Sequence, residues 1–134
     1  MPFPGTTDAT KQAALVNART GATVATVVEV ASTSRARRRG LLGRDGLAPG
    51  SALVITRCNA VHTVGMRFVI DVAFVDAAGC VRKVVQRLPP WRMAMSPRAV
   101  AAIEFAAGQL GEGAVRPGDR LALVPGGPSP SDGL

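Results

Sequence analysis

The segment from Cys58 to Asp76 holds the residues best suited to chemistry. It contains the only histidine, His62, one of the two cysteines, and an aspartate, Asp71, within an apolar run. His62, with Thr63 beside it, is suited to ligand binding, proton transfer or polar anchoring in a pocket. A lone histidine is also often structural, with its ring hydrogen-bonded to backbone. This segment is therefore the first candidate for a recognition site.

Two carboxylates interrupt apolar, strand-like runs, Asp71 within 69–72 and Glu104 within 102–105. If they lined one cleft with His62, they could exchange protons with a substrate as acid and base. The interpretation that we favour pairs each of them with an arginine, such as Arg44 or Arg67, or with backbone N–H groups, because an isolated buried charge is costly. We predict that Asp71 is at least half buried, ionised and hydrogen-bonded.

Cys58, His62 and Met66 are spaced four residues apart. On a strand, this spacing would place one thiol, one imidazole and one thioether on the same face, a soft ligand set that could hold Cu(I) or zinc. Zinc normally requires four well-placed ligands, and the sequence offers a single histidine. The sequence therefore predicts no metal and no cofactor.

The run from Arg35 to Arg39 is the one concentrated positive charge in a chain with a formal net charge of +7. Such a run could bind phosphate near a helix N-terminus, but more often it is the solvated face of a short helix. The sequence has no tyrosine, four phenylalanines and one tryptophan, which offer little surface for stacking bases. We therefore expect Arg35, Arg37 and Arg38 to be exposed, and we do not predict nucleic-acid binding.

The elements that position these residues are mostly strands. Ser and Thr at 32–34 can cap a short helix that ends near Gly43, with Leu41 and Leu42 facing the body of the protein. Period-two alternation places Phe68, Ile70, Val72 and Phe74 on one face of a central strand. The fold class expected is mainly β (β-rich α+β), a small sandwich or partly open barrel with one short helix. The predicted strands are 14–17 and 23–30 as a hairpin, 51–55, 67–75 and 80–86 as a hairpin, 99–106, and 120–124.

Composition also divides the chain. Residues 1–12 are expected to form a flexible tail, 13–124 a single compact domain, and 125–134, rich in Pro, Gly and Ser, a disordered tail. No apolar run approaches the length of about 18 residues that a membrane span requires. No signal peptide is recognised at the start, so a cytoplasmic location is expected.

Several motifs, taken in order, resemble a known family. They are Arg39-Gly-Leu-Leu-Gly-Arg44, then His62-Thr-x-x-Met-Arg-Phe-x-Ile-Asp71-x-x-Phe-x-Asp76, then Glu104-x-x-x-Gly108, then Gly118-Asp119. The set resembles the bacterial and archaeal family called domain of unknown function 192, over roughly residues 30–124. Many relatives have an aromatic residue and a methionine at the His62-Thr63 position, and a proline at Val69. Many also carry an export signal. The resemblance implies a β-rich domain with a short helix, and no established activity, ligand or cofactor.

We conclude from the sequence that this is a small non-catalytic binding or accessory domain. Its partner would be a small molecule or a protein, recognised around His62 and Asp71. One alternative is an enzyme, for example a hydrolase, using His62 with Asp71 or Glu104 as acid and base. A second is phosphate or nucleic-acid binding through Arg35 to Arg39. The candidate binding residues are Arg44, His62, Thr63, Met66, Arg67, Asp71 and Glu104.

Overall fold

The computed structural model describes residues 13–125, so the tail predicted at 1–12 and all but the first residue of the tail predicted at 125–134 lie outside the described residues. Within the described range there is one helix, α1, at Ser34–Arg39. The strands are β1 Ala13–Asn17, β2 Thr23–Ala25, β3 Val27–Ala31, β4 Ser51–Thr56, β5 Ala60–His62, β6 Ile70–Val75, β7 Val81–Leu88, β8 Met93–Met95, β9 Ala101–Ala106 and β10 Leu121–Pro125. Pro125, predicted to begin the C-terminal tail, is the last residue of β10.

The strands form two open sheets and a small ribbon. The larger sheet has the order β3-β4-β9-β6-β7, in which β3 and β4 are parallel and the other pairs are antiparallel. The smaller sheet has the order β10-β1-β2, and β5 pairs with β8 as a two-stranded ribbon. Neither sheet closes into a barrel. The fold is therefore β-rich with one short helix among the described residues, and the expected fold class is confirmed.

Each face of the five-stranded sheet has its own apolar core. On one face, Leu15 and Leu121 of the three-stranded sheet pack with Ile103 and Phe105 of β9. The other face is covered by the segment after α1, by the β5–β8 ribbon and by the turn after β5, which contribute residues such as Leu41, Val61, Ala94 and Met66. Because both faces are covered, strands in the middle of this sheet are apolar on both sides.

The strand that carries Asp71 is central, as predicted. β6 lies between β9 and β7, and all six of its residues are buried. Ile70, Val72 and Phe74 belong to one core with Phe68 packed against it, so the predicted facing is confirmed. The strand starts at Ile70 instead of Arg67, because the chain first makes a turn in which the Met66 N–H donates to the Thr63 carbonyl at 3.1 Å.

The apolar run at 23–30, predicted as one strand, is two strands in different sheets. β2 completes the hairpin with β1, whereas β3 crosses to the larger sheet and pairs with β4. The break falls at Thr26, where the N–H groups of Thr26 and Val27 both donate to the Gly50 carbonyl, at 2.8 and 3.2 Å. Two donors that converge on one acceptor bend the chain, and no sequence pattern inside the run marks that bend.

The helix is shorter than predicted. Its N-cap is Thr33, whose side chain accepts from the Ala36 N–H at 3.0 Å, as expected from the Ser/Thr cluster. It ends at Arg39 and not near Gly43, because the C-cap residue Gly40 adopts a φ of +48°, outside the helical region. Leu41, directly after this turn, is buried in the core on the same side.

Replacing Phe74 by alanine tests the facing of β6. Phe74 is fully buried in the core that Phe68 only borders. We expect Phe74→Ala to lower the free energy of unfolding by roughly 3–5 kcal/mol, because it leaves a cavity that the sheet cannot close. Urea denaturation measures this loss. Phe68→Ala, at a half-buried site, serves as the matched control and should cost less. Equal losses for the two variants would show that the burial of β6 is misassigned.

Candidate functional site

A cleft lies between the C-terminal end of α1 and the β5 strand. One wall is formed by α1 and the turn after it, the other by the segment around β5, and Glu104 of β9 contributes from the sheet. The inner part has a volume of about 80 Å³. It opens into a wider, shallower mouth of about 530 Å³. The residues lining both parts are Arg37, Arg38, Ile55, Cys58 and His62.

Glu104 is the deepest polar residue of this cleft. It is 3% exposed and lies directly across from Leu53 and Val72, on the sheet face that packs under α1 and the ribbon. Among residues 13–125, no side chain or backbone group forms a hydrogen bond or salt bridge with its carboxyl group. Burial raises the pKa of Glu104 to about 7, and the positive charge of Arg44 only partly opposes that rise. The cleft therefore contains a largely buried carboxyl group whose hydrogen bonds are not made by residues 13–125.

Arg44 sits near Glu104 but is bonded elsewhere. Its guanidinium donates to both carboxylate oxygens of Glu29, at 2.8 and 3.4 Å. Glu29 lies across from Leu53, and Leu53 across from Glu104, so the two glutamates share one face of the sheet with a strand between them. The predicted site residue Arg44 is thus half of an ion pair beside the cleft and does not line it.

The arginines of α1 differ in their environments. Arg35 and Arg38 are exposed, as predicted, and so is Arg39. Arg37 is only partly exposed, so the prediction was wrong for this residue: Ala36 packs against the core, and Arg37 beside it turns into the cleft. Its Nε is buried without a hydrogen-bond partner in the described part of the chain. Its terminal nitrogens make only long contacts of 3.4 Å, to the Arg57 carbonyl and the Ser34 hydroxyl.

Cys58, His62 and Met66 all line the inner cleft, although not for the predicted reason. Only 60–62 is a strand, so the three residues do not share a strand face. His62 is exposed at the rim, with the Val64 N–H donating to its Nδ1 at 3.3 Å. The Cys58 thiol donates to the Ala60 carbonyl at 3.0 Å, and burial raises its pKa. Met66 is buried in the core beneath them.

Thr63 supports the site from inside the fold. It is fully buried, and its hydroxyl donates to the Pro89 carbonyl at 2.6 Å while accepting from the Arg92 N–H at 2.9 Å. These bonds tie the end of β5 to the chain that enters β8. We infer that Thr63 positions the neighbouring His62 through the backbone and offers nothing to a ligand.

Asp71 lies on the other face of the sheet from Glu104. It is fully buried opposite Phe105, and its two oxygens accept from the Arg87 N–H at 2.9 Å and the Leu110 N–H at 2.8 Å. The prediction of a buried, hydrogen-bonded aspartate is confirmed, with backbone groups as the partners. Asp71 shares a sheet face with Phe105, and neighbouring residues of a strand point to opposite faces, so Glu104 points the other way. Asp71 therefore cannot act in one cleft with Glu104 or with His62. Arg67, another candidate, pairs with Asp45 on the surface at 2.7 Å.

The sequence did not predict the inward turn of Arg37, and it indicated Cys58 as a metal ligand or a packed thiol, not as part of a cleft. No local signal distinguishes Arg37 from its neighbours in the arginine run, because the helix is too short to show a periodic apolar face. The sequence also did not predict the short strands β5 and β8, which lie in stretches to which no strand was assigned. Within residues 13–125, no three His, Cys, Asp or Glu side chains converge as a metal site, and no helix has the length and apolar character to cross a membrane.

Two open sheets, one short capped helix and a polar cleft beside that helix define a class of small β-rich domain. The family model for domain of unknown function 192, described as "Uncharacterized ACR", matches residues 15–123. The chain belongs to this family, as its motifs indicated.

Two solved structures share the fold. A protein of Sinorhizobium meliloti 1021 described as a "putative transcription regulator" is 25% identical, with a TM-score of 0.74 over 89% of this chain and 98% of that one. A protein of unknown function from Novosphingobium aromaticivorans is 16% identical, with a TM-score of 0.67 over 82% of each chain. Comparison with curated proteins found no match.

Replacing Asp71 by asparagine tests its structural role. The amide can accept only one of the two backbone N–H bonds, and its NH₂ group then faces the other donor. We expect Asp71→Asn to lower the free energy of unfolding by roughly 1–3 kcal/mol. Asp45→Asn is the control, since Asp45 is 88% exposed, and should cost less than about 1 kcal/mol. Chemical denaturation measures both, and indistinguishable values would contradict the structural role.

Replacing Glu104 by glutamine tests its raised pKa. Between the ordinary value of 4.5 and the folded value of about 7, the folded protein holds a proton that the unfolded chain has released. The stability that this group contributes is therefore complete below pH 4.5 and is lost as the pH rises through about 7. Glutamine does not ionise. Glu104→Gln should therefore unfold close to wild type near pH 5, and be more stable than wild type near pH 8 by roughly 1–3 kcal/mol.

Thermal unfolding at the two pH values measures the difference. Glu112→Gln, at an exposed carboxylate, is the control and should shift by the same small amount at both. An advantage of Glu104→Gln that does not grow with pH would contradict the raised pKa.

Proposed function

We propose that the protein is a non-catalytic binding domain whose cleft holds a small organic acid. One observation carries the proposal: Arg37 and Glu104 line the same cleft, the Nε of Arg37 is buried without a hydrogen-bond partner among residues 13–125, and the carboxyl group of the largely buried Glu104 forms no hydrogen bond or salt bridge with those residues. Buried polar groups are nearly always hydrogen-bonded, so a buried donor and a largely buried acceptor without protein partners favour a ligand or ordered water in this cleft. A ligand that bonds to both groups would supply the hydrogen bond that each of them lacks.

The acid group of the ligand would meet Arg37. A guanidinium presents several donors in a fixed plane, which suits the two oxygens of a carboxylate or those of a phosphate. Arg38 lines both the cleft and its mouth and adds positive charge there. An anion would therefore be attracted to this end of the cleft more strongly than a neutral molecule of the same shape.

The other end of the ligand would meet Glu104. The inner part of the cleft, at about 80 Å³, has room for only about two or three water molecules. Only a short polar tip, such as a hydroxyl or an amine, could enter it. Ile55, Leu41 and Met66 line the space around the carboxyl group, so the body of the ligand would be small and partly apolar.

This proposal keeps three of the residues identified from the sequence, His62, Met66 and Glu104, and adds Arg37. Thr63 and Asp71 become structural supports, and Arg44 and Arg67 belong to ion pairs outside the cleft. The cytoplasmic location and the division into one domain and two tails stay predictions.

An enzyme that uses His62 and Glu104 has one supporting observation. A carboxyl group with a pKa of about 7 is suited to proton transfer near neutral pH, and His62 lines the same cleft. A bound acid that is recovered unchanged after long incubation with the protein would favour the binding domain. Its conversion, lost in Glu104→Gln, would favour the enzyme.

Phosphate or nucleic-acid binding has support of another kind. Arg37, Arg38 and Arg57 line the open mouth of the cleft, and the Sinorhizobium protein is described as a "putative transcription regulator". Among residues 13–125, Trp91 is the only exposed aromatic side chain that could stack on a base. We therefore place phosphate among the acids to be tested, ahead of a nucleic acid.

The test compares acids with their neutral amides. Glycolate, lactate and inorganic phosphate are titrated against glycolamide and lactamide, and binding is followed by thermal shift and by chemical-shift changes in an NMR spectrum. We expect at least one acid to stabilise the protein and to perturb residues of the cleft, whereas its amide does neither. Arg37→Gln should abolish the effect, because it removes the buried donor.

Arg35→Gln is the matched control, since Arg35 lies on the same helix but does not line the cleft. A response that falls equally in the two variants would indicate non-specific attraction to the arginine run. Tight, salt-dependent binding of oligonucleotides that needs both arginines would favour the nucleic-acid alternative. No perturbation of the cleft by any acid at millimolar concentration would overturn the proposal.

A further inference from the structure

The outer face of the β5–β8 ribbon exposes three side chains with soft donor atoms. Met93 is 69% exposed and Met95 is 49% exposed, and His62 is exposed beside them. Trp91, immediately before β8, is 65% exposed. Contiguous exposed apolar patches on a protein surface often mark an interaction site.

The strand register brings these donors together. His62 lies directly across from Met93, and Ala60 directly across from Met95. The inner face of the ribbon is set by Val61 and Ala94, which are both buried, so the other four residues share the outer face.

Residues directly opposite in an antiparallel pair have Cβ atoms about 4.5–5.5 Å apart, and diagonal pairs remain within reach of long side chains. Because Ala60 has only a methyl group, nothing on its strand separates Met95 from His62.

We propose that this face binds a soft monovalent metal ion, Cu(I) or Ag(I), through the imidazole of His62 and the thioethers of Met93 and Met95. Thioether sulfur selects Cu(I) over harder ions, and imidazole binds copper readily. Methionine has three rotatable bonds, which lets two sulfurs reach one ion from neighbouring positions on a strand. Neither methionine lines the cleft, and His62 is the one proposed ligand that the ribbon face shares with it.

Zinc is not expected at this site. It favours thiolate, imidazole and carboxylate ligands, usually four in a structural site, and among residues 13–125 no three His, Cys, Asp or Glu side chains converge here. Trp91 would contribute differently, since the face of an indole attracts a nearby cation. It is the only tryptophan of the chain, and the chain has no tyrosine. Its fluorescence therefore reports on this one place.

Binding would change the hydrogen bonding of His62. The Val64 N–H now donates to its Nδ1 at 3.3 Å, longer than most hydrogen bonds of this type. Coordination through Nε2 needs the ring proton on Nδ1, so the contact with Val64 would be lost. Losing this long hydrogen bond would oppose the formation of a metal–nitrogen bond only weakly.

The experiment uses the full chain with Cys58→Ala and Cys80→Ala, because the two free thiols would bind the same ions by themselves. Ag(I) is added in nitrate buffer, and Cu(I) is added under reducing conditions against a competing chelator. We expect one ion per chain and a change in Trp91 fluorescence at that stoichiometry. Zn²⁺ under the same conditions should produce neither.

Met93→Leu with Met95→Leu is the decisive variant. Leucine preserves the apolar character of the face, and both positions are exposed, so folding should be unaffected. We expect the affinity for Ag(I) to fall by more than about tenfold, as it should for His62→Ala. Met66→Leu, at the buried methionine, is the control and should bind like the cysteine-free parent.

Three outcomes would overturn the proposal. The cysteine-free protein could fail to bind either ion, which would assign any binding by the natural chain to the thiols. The leucine variant could bind as tightly as its parent. Zn²⁺ could bind as tightly as Ag(I), which would contradict a soft ligand set.

Discussion

The pairing of β6 with β9 is the constraint on which the rest of the structure depends. These strands lie in the middle of the five-stranded sheet, and both carry a carboxylate that apolar layers cover on either side. The register sets Asp71 opposite Phe105 and Glu104 opposite Val72, so the two acids project to opposite faces. A slip of one residue would exchange the faces of the moved strand and bury its apolar residues in the wrong core.

Three buried carboxyl groups of the fold differ in their hydrogen-bond partners. Asp119 accepts from Arg19 at 2.6 Å and also from Asn17 and the Arg116 N–H, and the Arg19 bond first of all lowers its pKa to about 2. Asp71 is held by two backbone donors, which fasten the end of β7 and the loop after β9 to the sheet. Glu104 has no such partner in the described part of the chain, and its pKa rises instead. Satisfied carboxylates stabilise the fold, and the unsatisfied one lies at the cleft.

His62 connects the two surfaces for which we propose functions. Its strand borders the cleft on one side and forms the exposed ribbon face with β8 on the other. The buried hydroxyl of Thr63 holds this strand to the chain around Pro89 and Arg92, so the position of the imidazole is fixed by a bond that touches no ligand. A ligand in the cleft and a metal ion on the ribbon would both contact His62, but the other residues that bind them would differ.

The sequence by itself determined the local features. Alternation between apolar positions predicted the two faces of β6, and the Ser/Thr cluster that contains Thr33 predicted the start of α1. The position of Asp71 within an apolar run predicted that it is buried and hydrogen-bonded. The order of the motifs indicated the family. These predictions succeed because the physical cause, side-chain alternation, capping or the cost of a buried charge, acts within a few residues of the pattern.

The tertiary structure alone decided which of these residues meet. The split of 23–30 depends on Gly50, and the inward turn of Arg37 depends on what α1 packs against. The separation of Asp71 from Glu104 follows from a register that pairs residues 26 to 36 positions apart in the chain. The meeting of His62 with Met93 follows from the pairing of two three-residue strands. Pairing between distant strands depends on the packing of the whole core, so no short segment of the sequence predicts it.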